Sequence, residues 1–185
     1  KIVKSRDAQS HLIDKKIFFK NSHLLNDRLN YQVKSFGNKN PKKTFYVIQR
    51  SPGGGMFSNL NYIIHHLYIA DKLGFIPIID MENYLTIYNE KKRVQNTFNA
   101  WEYFYEPVSK FKLKDVYKSK KVILTDGRTN LNKFFDGFEN LSDEHYKIFK
   151  KYIKIKKYLI KEKNNFIKKE FKNSTVLGVH FRGTD

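Results

Sequence analysis

An α/β fold built on a mainly parallel sheet is what this sequence predicts, and three observations carry it. Short apolar, β-branched or aromatic runs recur at 45–48, 75–80 and 121–126. Between the first two, Phe57, Leu60, Ile63, Ile64, Leu67, Tyr68 and Leu73 fall mostly three or four residues apart, the period of an amphipathic helix. Glycine marks the joints: Ser51-Pro52-Gly53-Gly54-Gly55 ends the first run and Gly74 follows the helix. Residues 44–81 therefore read as strand, glycine turn, helix, strand, one βαβ unit.

In chain order, residues 1–43 predict a polar, irregular, basic extension with small apolar clusters at 17–19 and Leu24-Leu25. Asn38-Lys39-Asn40-Pro41 reads as a break before the first strand, and a domain follows over 44–172. Glycines 53–55 let backbone N–H groups approach a phosphate, a sugar hydroxyl or a carboxylate at the helix N-terminus; the alternative is a tight turn with no ligand. Loops at the carboxyl ends of parallel strands hold the sites of α/β proteins, which makes Asp80, Glu82 and Asn83 candidates for acceptor contacts, with Tyr88 and Asn89 behind them. A solvated polar loop is the alternative there.

Residues 99–108 gather Trp101, Tyr103, Phe104 and Tyr105 in a short helix that ends before Pro107. Such a cluster either stacks on a sugar ring or fills a core. A helical turn is expected at 113–119 and a third strand at 121–126, with Arg128 just past its end. Ser142 reads as the N-cap of a long helix with Asp143 and Glu144 in its first turn, broken by Asn164-Asn165. The last strand is expected at 175–182, where alternation sets His180 and Arg182 on one face. Arg182 offers a forked pair of donors suited to phosphate, His180 adds a donor, and Gly183 lets the chain turn around a ligand.

The formal net charge is +18, and it is uneven. Residues 1–43 hold 11 Lys/Arg against 3 Asp/Glu, and 142–172 hold 11 against 4. Nucleic acid, an anionic membrane surface or an anionic substrate would each suit such flanks. Lys greatly outnumbers Arg, whereas base and phosphate readers lean on Arg, so no specific nucleic-acid partner is expected. The chain has no Cys, which excludes disulfides and thiolate metal sites and fits a reducing compartment. No metal-ligand spacing is present: His65 and His66 are adjacent and point to different sides of a helix. No apolar stretch reaches the length of a membrane span.

Two motifs then coincide. His180-Phe181-Arg182-Gly183-Thr184-Asp185 resembles the H-x-R-x-T-D signature of GDP-fucose-dependent fucosyltransferases, among them the α-1,6-fucosyltransferases, the bacterial nodulation enzymes and the protein O-fucosyltransferases. Gly55-Met56-Phe57-Ser58-Asn59 resembles the G-x-F-G-N loop of the protein O-fucosyltransferases, with Ser58 where glycine is usual. The resemblance spans 44–185 and implies the first half of a two-domain GT-B glycosyltransferase, Rossmann-like and on the acceptor side. On that reading 173–185 is the opening strand and phosphate motif of a truncated donor domain, the sequence is a fragment or the gene is cut short, and the 185 residues alone turn over little or nothing.

The implied reaction is inverting transfer of a sugar from a GDP-sugar, GDP-fucose first, to a glycan or protein hydroxyl. The implied roles are catalytic for Arg182, Asp185 and Asn59. His180, Arg182, Gly183, Gly54, Gly55 and Phe57 would bind the nucleotide sugar, and Asp80, Glu82, Asn83 and Arg128 would face the acceptor. No cofactor and no obligatory metal are implied. The expected location is the cytoplasm, with peripheral contact at the inner face of an anionic membrane. The rival reading is a non-catalytic basic module that binds nucleic acid or an anionic surface.

Overall fold

The computed structural model describes residues 11–12, 31–50, 54–126, 141–172 and 174–179. They fall into two compact units divided between Lys154 and Ile155. The first unit is mixed α/β. Its strands are β1 (His11–Leu12), β2 (Tyr31–Ser35), β3 (Lys39–Ile48), β4 (Ile76–Ile79) and β5 (Ser119–Thr125). Its helices are α1 (Met56–Lys72), α2 (Trp101–Phe104), α3 (Leu113–Val116) and α4 (Leu141–Tyr152).

The sheet order is β1-β2-β5-β3-β4. β3 pairs in parallel with β4, Phe45 opposite Ile76, and with β5, Phe45 opposite Val122. On the far side β2 runs antiparallel to β5 and β1 antiparallel to β2. The sheet is therefore mixed, which corrects the expectation of a mainly parallel one. β2 also lies inside the stretch read as irregular extension. It escapes notice because Tyr-Gln-Val-Lys-Ser buries only Val33, and a half-polar strand of five residues resembles a loop in sequence.

β3 begins at Lys39, inside the expected break at 38–41. The break is real but local. Asn40 sits at φ +48°, Pro41 supplies no N–H, and the ladder to β5 slips between Lys39 and Thr44. Asn40 Nδ2 donates to Ser119 Oγ at 3.0 Å and ties this bulge to β5.

The second half of β3, Phe45–Ile48, is buried on both faces, so its sequence is an unbroken apolar run. Tyr46 and Ile48 point to the face covered by α1, where they meet Ile63, Leu67 and Ala70 together with Ile79, Ile123, Trp101 and Ile148. Phe45 and Val47 point to the other face, against Phe36, Ile78, Val116, Val122 and Leu124. α1 ends as its sequence indicates: Gly74 takes φ +67° and Phe75 N–H donates to Ala70 O at 2.8 Å. Lys72 reaches Glu144 at 2.7 Å, and Tyr152 donates to Asp71 Oδ1 at 2.6 Å, which holds α4 along α1.

The long helix expected over 142–172 is two helices, and the break is not at Asn164-Asn165. α4 starts at Leu141, so Ser142 lies within it, and it stops at Tyr152. Ile153 is buried, and the Lys154 carbonyl accepts Glu106 N–H at 2.7 Å, so a tertiary contact takes the backbone out of the helix. In the second unit α5 (Lys157–Phe166) runs through both asparagines into one π-helical turn at Ile167–Phe171. The strand expected at 175–182 is not formed over 174–179. Val176, Leu177 and Val179 are exposed there, and among the described residues no strand supplies the ladder hydrogen bonds it would need. Residues 180–182 lie outside the described set.

Candidate functional site

The carboxyl ends of β3, β4 and β5 carry Arg50, Asp80 and Asp126, and the first turn of α1 lies beside them. The glycine joint is organised by one buried amide. Asn59 is 4% exposed; its Oδ1 accepts Arg50 Nε–H at 2.9 Å and its Nδ2 donates to the Gly54 carbonyl at 3.0 Å. Arg50 also donates to Ser58 Oγ at 3.4 Å, and its guanidinium lies 4.5 Å from the Tyr62 ring centroid. Tyr62 is itself fixed, donating its hydroxyl to the Asp126 carbonyl at 2.7 Å. A cation is thus held in a set orientation just past the end of β3. The helix it adjoins has Gly55 at its N-cap, no side-chain cap and no acidic residue in its first turn.

Gly54 and Gly55 differ in what they do. A Cβ on Gly54 would lie 2.5 Å from Asn59 Oδ1 and 3.1 Å from the Arg50 guanidinium, so glycine is required for the close approach. Gly55 faces open space at an ordinary φ of −61°. Phe57 is 80% exposed, projecting from the first turn of α1.

The residues proposed for the acceptor are distributed otherwise. Asp80 is fully buried and both its oxygens are engaged. Oδ1 accepts the N–H groups of Glu82 at 3.1 Å and Asn83 at 2.8 Å; Oδ2 accepts Asn83 Nδ2 at 2.8 Å and the Tyr117 hydroxyl at 2.6 Å. Burial, and then the Asp80 charge, hold the Tyr117 hydroxyl protonated far above its ordinary range. Asp80 and Asn83 therefore shape the loop from within, while Glu82 is exposed. Arg128, His180, Arg182, Gly183 and Asp185 lie outside the described residues.

Asn99 and Asn89 complete the loop. Asn99 accepts Met81 N–H at 3.1 Å and donates to Ile79 O at 2.8 Å; Asn89 accepts Thr86 N–H at 2.7 Å and donates to the carbonyls of Met81 and Phe98. This frame sets Tyr88 beside Phe104, edge to face at 6.4 Å, and Tyr105 on Trp101, stacked at 4.3 Å. Together with Met56 and Asn59 they line a cleft next to the Arg50 turn. The aromatic cluster is core and site wall at once: Trp101 and Tyr103 are buried, while Phe104 and Tyr105 are half-exposed.

His65 and His66 separate as expected. His66 is buried with Nδ1 2.8 Å from the Tyr46 hydroxyl, and burial pushes its pKa down to about 3. His65 stacks edge-on with His145 of α4 at 4.3 Å, and burial lowers both, His145 to about 4. Among the described residues no group of three or more His, Cys, Asp or Glu could hold a metal ion.

Arg50 is the functional candidate that sequence reasoning passes over. Its only signal is position, directly after the first strand and nine residues ahead of Asn59. Compared with protein-family models, with curated proteins and with solved structures, the chain matches none.

Proposed function

We propose that this chain belongs to an inverting glycosyltransferase that moves a sugar, fucose first, from a GDP-sugar to a hydroxyl of a glycan or protein. The observation that carries the reading is the Arg50–Asn59–Gly54 turn, a cation oriented at the carboxyl end of a βαβ unit. It coincides with the motif that resembles the first-domain loop of the O-fucosyltransferases, and the His180-to-Asp185 signature adds to it. In the reaction the acceptor hydroxyl gives up its proton to a base, its oxygen attacks the anomeric carbon, the bond from that carbon to the β-phosphate oxygen breaks, and GDP leaves with the electron pair. Negative charge grows on the departing phosphate, and a fixed guanidinium stabilises such charge without reorganisation. Arg182 has that role in this reading. Arg50 supports the same anionic substrate from the first half, and Asn59 acts by holding Arg50 rather than by touching the sugar.

The enzyme needs no cofactor and no obligatory metal in this mechanism. A cytoplasmic setting, with peripheral contact at an anionic membrane, is part of the proposal. Among the described residues no helix is long and apolar enough to cross a membrane.

Nucleotide selectivity tests the reading. Thermal shifts of the natural full-length protein with GDP, UDP, ADP and GDP-fucose should rise with the two guanosine ligands and not with the others. Equal shifts for all four, or none for GDP, would exclude a GDP-sugar enzyme.

A further inference from the structure

Basic residues are not spread evenly over the first unit. Residues 45–108 hold five Lys/Arg against six Asp/Glu, whereas 31–44 and 109–121 together hold ten lysines against Asp115 alone. A composition that merely favoured lysine would load both stretches, so the separation needs a structural reason. The sheet supplies one. β3 and β5 are parallel, with Lys39 opposite Ser119 and Thr44 opposite Lys121, so their amino ends lie at one edge. β3 brings Lys39, Lys42 and Lys43 there, and the entry to β5 brings Lys118 and Lys120, all exposed. The segment before β5 adds Lys110, Lys112 and Lys114, exposed as well. Contacts tie these pieces together. Lys39 N–H donates to the Lys118 carbonyl at 2.9 Å, and the Lys43 and Lys110 ammonium groups lie 5.9 and 6.0 Å from the centroid of one ring, Phe111. Asp115 lies 4.0 Å from Lys39 and offsets a single charge.

The make-up of this edge narrows its partner. Among the described residues no large apolar side chain is exposed in either stretch, so there is no apolar patch to anchor a protein. The two stretches hold no arginine, and Phe111 is half-buried, edge-on to Phe45 at 5.0 Å, so neither base edges nor stacked bases are served. A surface of dense negative charge that carries no sequence and needs no apolar anchor fits what remains. We infer that the amino edge of the sheet, built from the heads of β3 and β5 and the segment before β5, docks on the phosphates of an anionic lipid bilayer. Each lysine close to such a surface adds its own attraction. The inference rests on the proposed function for its membrane setting and not for its chemistry. Arg50 lies just past the other end of β3, about 30 Å away along the strand, so the candidate site is left clear of the bilayer.

Two combined variants of the natural full-length protein test it. Lys42→Gln, Lys112→Gln, Lys118→Gln and Lys120→Gln remove four charges from the edge. Lys157→Gln, Lys161→Gln, Lys163→Gln and Lys168→Gln remove four from α5 and the π-helical turn. The wild type should sediment with phosphatidylcholine vesicles that contain about 30% phosphatidylglycerol, and not with phosphatidylcholine alone. The edge variant should bind the anionic vesicles about 10–100-fold more weakly, and the α5 variant within about threefold of the wild type. The thermal shift given by GDP should be the same in all three proteins. Failure of the folded wild type to bind anionic vesicles, or equal losses in the two variants, would overturn the assignment. So would RNA held more tightly than the vesicles at about 0.15 M salt and released by the edge variant, which would make the edge a nucleic-acid surface. Vesicle binding lost only in the edge variant, with no response to GDP in any protein, would keep the docking edge and remove the GDP-sugar reading.

Discussion

At the scale of single residues, Gly54, Asn59 and Arg50 act as one device. Adding a methyl group at Gly54 drives it into Asn59 Oδ1, whose position is fixed by two hydrogen bonds. Gly54→Ala should therefore cost about 1–3 kcal/mol and lower activity with it. Gly55→Ser is the control: the space around it is open, and serine is a good N-cap, so stability should hold or rise by a few tenths of a kcal/mol. Urea unfolding of the two variants checks both. Arg50→Ala should cut GDP-sugar transfer about 10–100-fold. Arg50→Lys should rescue little, because an ammonium cannot hold Asn59 and lie over Tyr62 together. Asn59→Ala should match Arg50→Ala in direction if Asn59 acts through the arginine. Steady-state rates of the three variants decide that. Asn59 was legible in the sequence as a motif position. Its actual partner was not, because a hydrogen bond across the joint depends on how strand and helix are docked.

At the scale of elements, the strands buried on both faces announce themselves: 45–48, 76–79 and 122–124 are continuous apolar runs. β2 does not, since Val33 alone is buried in it. The end of α4 is set by Glu106, far away in sequence, so no local signal marks it. The loop after β4 reads as polar residues available to a ligand, yet most of its acceptors are used internally. Asp80→Ala should leave two backbone N–H groups and the Tyr117 hydroxyl without their acceptor, and should cost about 2–4 kcal/mol, measured by urea unfolding.

The histidines of α1 and α4 give the same elements a pH dependence. His65, His66 and His145 all lie below the ordinary histidine value when folded, so between the two values the unfolded chain binds more protons. The stability that depends on their neutrality is complete above about pH 6.5 and is lost as pH falls toward about 4 and then 3. The urea midpoint should drop between about pH 7.5 and about pH 5, and drop less in His145→Gln. A midpoint flat across that range would contradict the burial of these rings.

At the scale of the whole molecule, the Lys-rich segments 1–43 and 142–172 lie in sequence on either side of the residues that carry the Arg50 turn and the aromatic cleft. Salt-dependent, sequence-indifferent attraction to polyanions follows from the charge alone. Specific binding of DNA or RNA does not. The central claim is sugar transfer from a GDP-sugar, and its most direct measurement is GDP release and acceptor labelling by the natural full-length protein supplied with GDP-fucose and a glycan acceptor. Turnover is expected in the wild type, with a loss of about 10²–10³-fold in Arg182→Ala and the fold intact. No turnover from any GDP-sugar in the folded wild type, or equal rates in wild type and Arg182→Ala, would contradict it.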